Sequence, residues 1–484
     1  MRRDAALSRR WMVPLLALLL AACSTPAADP SPGPQGASAT GGRASPDAGE
    51  VVAAITEQGL RDRLEALATA TGDAAPFRAT GSAGYDRAAT YVEEQLVAAG
   101  WTVEPDAFET DAYADPGGTV LEVEGTRFGA EDVLPLVFSP QASAEGPVVT
   151  VGGAPETAEE GDVGCRVSDY GDLPSGAVVV VPPGGCLRRD QLVAAQDAGA
   201  GAYVTYAPGA PDGIVLRPTL VRPDGLDIPG LWASPAAVEA LAATARDGGT
   251  ATVSTTGRTE RTRTRSVVAW LPGASEEEVV MLGAHLDSVL DGPGINDDGS
   301  GVAALLEIAR ALGGTTPGAS IRMAFWSGEE LGLQGSHHYL GTLTDAERDA
   351  LVAYLNADMV GSPNGFAGVY DEDAAASGSE DVRDLLWGAV ERAGGTPVEV
   401  DLHQSSDHLA FTTAGIPTGG LFSGAGARVT ADQAESSGAT AGAPADPCYH
   451  QPCDGVDNVD LTLARTLTAA LADATVQLTA GGGP

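Results

Sequence analysis

Apolar residues recur at three- and four-residue spacing from Val51 to Ala70 and again from Tyr85 to Ala99, where Gly100 stops the pattern. Two helices are therefore expected ahead of a strand over Trp101–Phe108. Between about residues 140 and 255 the texture changes to short β-branched runs, such as Gly176-Ala177-Val178-Val179-Val180-Val181, separated by Pro and Gly clusters. One helical run there, Asp190–Ala198, ends at Gly199, and Ala202–Thr205 reads as the next strand. This stretch is expected to be a small β-rich insert with its own core.

After Arg265 the pattern alternates. Ser266–Leu271, Val279–Ala284, Ile321–Trp326 and Leu351–Asp358 read as strands, and Gly301–Leu312, Asp381–Ala393 and Asp460–Leu478 as helices. Such alternation predicts an α/β fold whose sheet is mostly parallel and covered on both faces. The expected organisation is a first part over 50–139, the insert over 140–255, a second part over 256–479 and a flexible tail at 480–484.

The chain begins with a basic region, Arg9 and Arg10, then an apolar stretch from Trp11 to Leu20, and then Leu20-Ala21-Ala22-Cys23. That is a secretory signal over residues 1–22, too short for an ordinary membrane span. The small residues before Cys23 resemble a bacterial lipobox, which implies cleavage there and lipid on the Cys23 sulfur. The expected location is the outer face of the cell membrane, held by that lipid, or free secretion if the leader is simply removed. Ser8-Arg9-Arg10 also resembles a twin-arginine export signal. Residues 23–49, rich in Pro, Gly, Ser and Ala, read as a flexible tether. Export makes the other four cysteines candidates for two local disulfides, Cys165 with Cys186 and Cys448 with Cys453.

Composition narrows the partners. The chain has 484 residues, no lysine and a formal charge of -39, and removal of residues 1–22 takes the charge to -42. A surface this negative repels phosphate backbones and anionic bilayers, so no nucleic acid is expected, and membrane contact only through the lipid.

The chemistry concentrates in five metal-compatible side chains: His285 in A-H-L-D, Asp297 in N-D-D-G-S-G, Glu330 in S-G-E-E-L-G, Asp358 in N-A-D-M-V-G, and His450 in C-Y-H-Q-P-C. With Glu329 beside them, they form the inventory needed to hold two zinc ions and activate a water between them. Each falls at the end of an expected strand or in the loop after it, the edge where sites gather in α/β sheets. Taken singly, N-D-D-G is a common turn and an E-E pair is usually a solvated face; the convergence argues otherwise. Glu330 is read as ligand and Glu329 as general base, because a metal-bound carboxylate is a poor proton shuttle. Asp287 is placed to accept the imidazole N–H of His285 that the metal does not use. Tyr449 is a candidate donor to a developing oxyanion. A Cys448–Cys453 bridge closes so short a loop that it stabilises less than the roughly 3 kcal/mol of a 15-residue loop, so positioning His450 is its expected use. His337 and His338 read as packing or surface groups, and His408 in Ser406-Asp407-His408 as ambiguous.

These motifs, with T-G-S-A-G-Y at Thr80–Tyr85 and G-G-L-F-S-G-A at Gly419–Ala425, resemble the co-catalytic di-zinc aminopeptidases of metallopeptidase family twenty-eight, in particular the secreted bacterial leucyl type. The resemblance implies an α/β/α sandwich with a mostly parallel mixed sheet and peptide substrates with a free N-terminus. It also implies one zinc on His285 and Glu330, the other on Asp358 and His450, with Asp297 bridging, Glu329 as base and Tyr449 as oxyanion donor. The insert resembles a protease-associated domain. Secreted relatives often have Arg before the S-D-H triplet, where this chain has Ser405. A carboxypeptidase on the same scaffold would need a cation for the substrate carboxylate, and Arg is scarce near these motifs. A glutaminyl cyclase would need only one zinc, and a non-catalytic receptor-like relative would be expected to have lost ligands.

Overall fold

The computed structural model describes residues 44–72, 77–153, 163–207, 215–371, 376–401 and 405–481. The leader, Cys23 and most of the tether lie outside the described residues, as does His403. In chain order the strands are β1 (Thr102–Ala114), β2 (Val120–Val123), β3 (Thr126–Phe128), β4 (Val133–Pro135), β5 (Ser143–Thr150), β6 (Val178–Val181), β7 (Ala202–Thr205), β8 (Gly230–Ala233), β9 (Thr250–Ser254), β10 (Arg258–Leu271), β11 (Ser275–His285), β12 (Ala319–Trp326), β13 (Leu351–Ala357), β14 (Ala367–Tyr370), β15 (Pro397–Val400) and β16 (Thr418–Phe422).

They form two sheets. The first runs β1-β10-β12-β11-β13-β16-β14-β15. Its centre, β12-β11-β13-β16, is parallel throughout, while β1, β10 and β14 add antiparallel pairings. Successive side chains point to opposite faces of a strand, and β11 shows the consequence. Val280, Leu282 and Ala284 join a core with helices Ala83–Ala98, Gly299–Leu312, Ser379–Arg392 and Leu461–Gly481. Val279 and Met281 pack on the other side with helices Gln334–Thr342 and His408–Thr413. The architecture is the expected layered α/β fold, helices on both faces of a mostly parallel mixed sheet.

The second sheet runs β3-β2-β9-β5-β6-β7-β8-β4, parallel from β5 to β8. Its strands begin at Val120, ahead of residue 140, where the change of texture places the insert. β2, β3 and β4 are only three or four residues long, too short for period-two alternation to register, yet β2 pairs with β9 along its whole length. The strand expected over Trp101–Phe108 instead continues to Ala114 and pairs with β10 from Arg258 onward. The extension is rich in charged and hydroxyl residues, which hide a strand from a search for apolar runs, and it leads the chain from one sheet to the other.

The two sheets share a core contact. Leu331, directly after Glu330, and Leu290 pack into the apolar cluster around Val179, Val181, Tyr203 and Trp232 of the second sheet. Arg217 adds a buried ionic tie, with Nη1 2.7 Å from Asp115 Oδ2 and Nε 2.8 Å from Asp291 Oδ2. Both disulfides have the expected pairing, with Cα separations of 5.9 Å for Cys165–Cys186 and 5.3 Å for Cys448–Cys453. Among the described residues no helix is long and apolar enough to cross a membrane.

Candidate active site

Parallel pairing places the ends of β11, β12 and β13 at one edge, with His285 beside Trp326 and Gly283 beside Asn356. His285 closes β11, Ser327-Gly328-Glu329-Glu330 follow β12, and Asp358 follows β13. Loops from elsewhere complete the cluster. Asp297 sits just ahead of helix Gly299–Leu312, and its peptide to Asp298 is cis. His450 lies inside the ring closed by Cys448 and Cys453, with φ of 58°. A β-carbon makes that left-handed conformation unfavourable, and the closed ring holds the residue in it.

His285 Nε2 is 3.1 Å from Asp297 Oδ1 and 3.6 Å from Asp358 Oδ1. His450 Nε2 is 3.0 Å from Asp297 Oδ2 and 3.3 Å from Glu330 Oε2. Two potential ligand sets follow, His285 with Asp297 and Asp358, and Glu330 with Asp297 and His450, each drawn within 4.8 Å. Asp297 contributes one oxygen to each. This corrects the partition implied by the resemblance. His285 groups with Asp358, on the adjacent parallel strand, and Glu330 groups with His450; chain order carries no information about which ligands share an ion.

The set fits cations. Its inward atoms are carboxylate oxygens and imidazole nitrogens, and the buried Glu330 Oε1 has no hydrogen-bond partner. Burial alone would lower the pKa of His285 and His450, yet the surrounding carboxylates raise both well above the ordinary imidazole value. In the metal-free chain, protons on the two rings stand where positive charge is needed.

Supporting contacts fix the geometry. His285 Nδ1–H donates to the main-chain carbonyl of Asp287 at 3.0 Å, which turns Nε2 toward Asp297 and Asp358. The Asp287 carboxylate therefore does not hold the imidazole as expected. Oδ1 accepts from the amides of Gly328 and Glu329 at 2.8 and 3.1 Å and orients the loop of the two glutamates. Burial lifts Asp287 to about 6. Asp298 accepts from the amides of His285, Gly301 and Met359 at 3.1, 2.9 and 3.0 Å, joining three segments. Asp454 accepts from the amides of Asn296 and Asp297 at 2.8 and 3.1 Å, and burial raises it to about 7. Ser406 Oγ donates to Asp358 Oδ2 at 2.7 Å. Arg78 is fully buried; its Nε and Nη2 donate to the carbonyls of Leu286 and Gly294 at 2.8 Å each, and Nη1 donates to Pro293. The sequence reading missed Arg78, Asp298, Asp454 and Ser406, although the last three adjoin recognised motifs.

Glu329 stands outside both ligand sets. Burial first, then Glu330 and Asp358, raise its pKa well above the carboxylate range. Tyr449 stacks on His450 with ring centroids 3.8 Å apart. His408 belongs to neither set; burial lowers it to about 4 and it leans on Tyr370. His338 stacks on Phe108, and His337 faces the cleft. That cleft, of about 610 Å³, is lined by Glu329, Glu330, Tyr449 and His450 together with Leu187, Arg188 and Arg217.

The sequence profile of peptidase family M28 matches residues 266–475. The probable lipoprotein aminopeptidase LpqL of Mycobacterium tuberculosis is 37% identical over 399 residues, covering 80% of this chain and 77% of that protein. This chain belongs to peptidase family M28. It is a metallo-aminopeptidase, a hydrolase acting on peptide bonds. Leucine aminopeptidase 2 of Arthroderma otae is 34% identical over 325 residues, 65% of each chain. The fold is similar to that of the aminopeptidase from Aneurinibacillus sp. strain AM-1, with a TM-score of 0.73 and 24% identity over 90% of this chain and 97% of that one. In this M28 chain the matched segment starts after the second sheet, whose strands all lie before residue 266.

Proposed function

We propose that this M28 enzyme is an exported aminopeptidase that uses two zinc ions to remove apolar, leucine-like residues from peptide N-termini. The observation that carries the reading is the sharing of Asp297 between two three-residue ligand sets. His285 and Asp358 would hold one ion and Glu330 and His450 the other, with one Asp297 oxygen turned toward each. Zinc bound there supplies Lewis acidity, polarising the scissile carbonyl and lowering the pKa of water near neutrality.

The chain's own groups do the rest. Glu329, free of both ligand sets, takes the proton of the attacking water and returns it to the leaving amine. The Tyr449 hydroxyl, whose pKa burial raises, stays protonated and donates to the carbonyl oxygen as charge develops. The surplus of carboxylates receives the substrate ammonium. Leu290, Leu331, Leu333 and Leu409 line the cleft and suit an apolar first side chain, in keeping with the name of the Arthroderma relative. The lipobox-like Leu20-Ala21-Ala22-Cys23 and the name of the mycobacterial relative support lipid anchoring through Cys23. The second sheet and its helices are read as a protease-associated-like insert.

Metal analysis of the purified protein should find two zinc ions per chain, and chelation should abolish hydrolysis of leucine p-nitroanilide. Equal hydrolysis of N-acetylated and free substrates would rule the assignment out, and a metal content of one per chain would rule out the paired site.

A further inference from the structure

Part of the cleft lining comes from the segment of the second sheet and carries positive charge. Cys186, Leu187 and Arg188 line it, at the start of helix Arg188–Asp197 and directly after the Cys165–Cys186 bridge. Two arginines face this space, and they differ in how their charge is used. Arg217 is neutralised, gripped by Asp115 and by both oxygens of Asp291. Arg188 is half-buried and makes no ion pair among the described residues. Its Nε is buried without a hydrogen-bond partner, and its guanidinium lies 6.0 Å from the Trp232 ring centroid, at the outer limit of a cation–π contact. In a chain with 66 acidic residues and 27 basic ones, an arginine with no ion pair among the described residues, on the lining of the cleft, stands out. The same cleft is lined by Glu329 and Glu330. The cleft is thus bipolar: carboxylates at the chemistry and a planar cation from the segment of the second sheet.

We propose that Arg188 is a specificity-determining residue that receives a substrate carboxylate, selecting peptides that carry a negative group beyond the scissile bond. The inference rests on the aminopeptidase reading, which places the substrate ammonium among the site carboxylates. The carboxylate has two possible sources, the C-terminus of a short peptide or an acidic side chain. A guanidinium pairs with either through the same two-pronged hydrogen bonding.

The test compares the zinc-loaded wild type with Arg188→Gln and Arg188→Lys. Substrates are Leu-Gly-Gly, its C-terminal amide, Leu-Asp-amide, Leu-Asn-amide and leucine p-nitroanilide. Arg188→Gln should raise KM about tenfold for carboxylate-bearing substrates, the factor one charge-assisted pair contributes, with kcat little changed. Arg188→Lys should recover part of the loss. A penalty confined to Leu-Gly-Gly against its amide identifies the C-terminus; one confined to Leu-Asp-amide against Leu-Asn-amide identifies a side chain. The uncharged substrates should be unaffected. An equal change for all five, or no change for any, overturns the proposal. A wild-type enzyme that ignores leucine p-nitroanilide would instead overturn the aminopeptidase reading, and this inference with it.

Discussion

Arg78→Met removes a cation from a place where nothing else can stand in for it. The guanidinium is fully buried and donates to three consecutive-loop carbonyls, those of Leu286, Pro293 and Gly294, while its main-chain amide donates to Ser288 Oγ at 2.8 Å. Burial lowers its pKa, and Asp454, Asp298, Asp297 and Asp287 pull it back up. Methionine keeps the length of the stem and deletes the donors. Three charge-assisted hydrogen bonds at about 1.5–3 kcal/mol each set the gross loss, and the carbonyls left unpaired add to it. Against that stands the relief of no longer burying a cation, itself several kcal/mol. The balance resembles the removal of one partner from a buried ionic set, about 3–5 kcal/mol. Urea unfolding of the metal-free proteins should therefore show a lower midpoint for the variant at an unchanged slope. Because the loop runs on to Asp297, metal affinity should fall as well, read by competition with a chromogenic chelator. A destabilisation below about 1 kcal/mol, the size of an ordinary surface change, would refute the view that Arg78 holds this loop.

Three further outcomes follow from the same geometry. Glu329→Gln should lower kcat about 10²- to 10⁴-fold with metal content unchanged; a parallel loss of metal would make Glu329 a ligand instead of a base. Replacing Cys448 and Cys453 together by Ser should weaken metal binding more than it lowers the unfolding midpoint, because the ring of six residues constrains little unfolded chain yet holds His450 at φ of 58°; the reverse order of effects would count against a positioning role. Burial raises Asp407 from 3.8 to about 7, so the folded metal-free chain keeps a proton there that the unfolded chain releases. Its contribution to stability is present at low pH and is lost as pH rises between those two values. Asp407→Asn should flatten that decline in midpoint between pH 5 and 7.5, and an unaltered slope would contradict it.

Much of the fold was legible because the central strands announce themselves. β6, β7 and β12 are apolar runs buried on both faces, and β7 falls where the sequence places it. The five candidate ligand residues were legible because each follows such a strand or sits in an unusual turn. What escaped depends on distant chain. Nothing near Arg78 in sequence says that it reaches a loop more than 200 residues on. The role of Asp287 was misread for a related reason: the spacing to His285 is right for a carboxylate contact, but the backbone carbonyl takes the imidazole, freeing the side chain for Gly328 and Glu329. The grouping of the candidate ligands into two sets is likewise a matter of which strands are neighbours. Arg188 escaped because an arginine among short β-runs reads as surface until the insert is folded back onto the cleft.

Leu331 follows the two working glutamates and is buried in the core of the other sheet. That one side chain makes the second sheet part of the frame around the candidate site. Trimming the chain down to the segment matched by the family profile would uncover an oily step right beside Glu329 and Glu330 and cut the grip of Arg217 on Asp291. A shortened enzyme would need that step rebuilt with polar residues and a new brace before its glutamates could hold station.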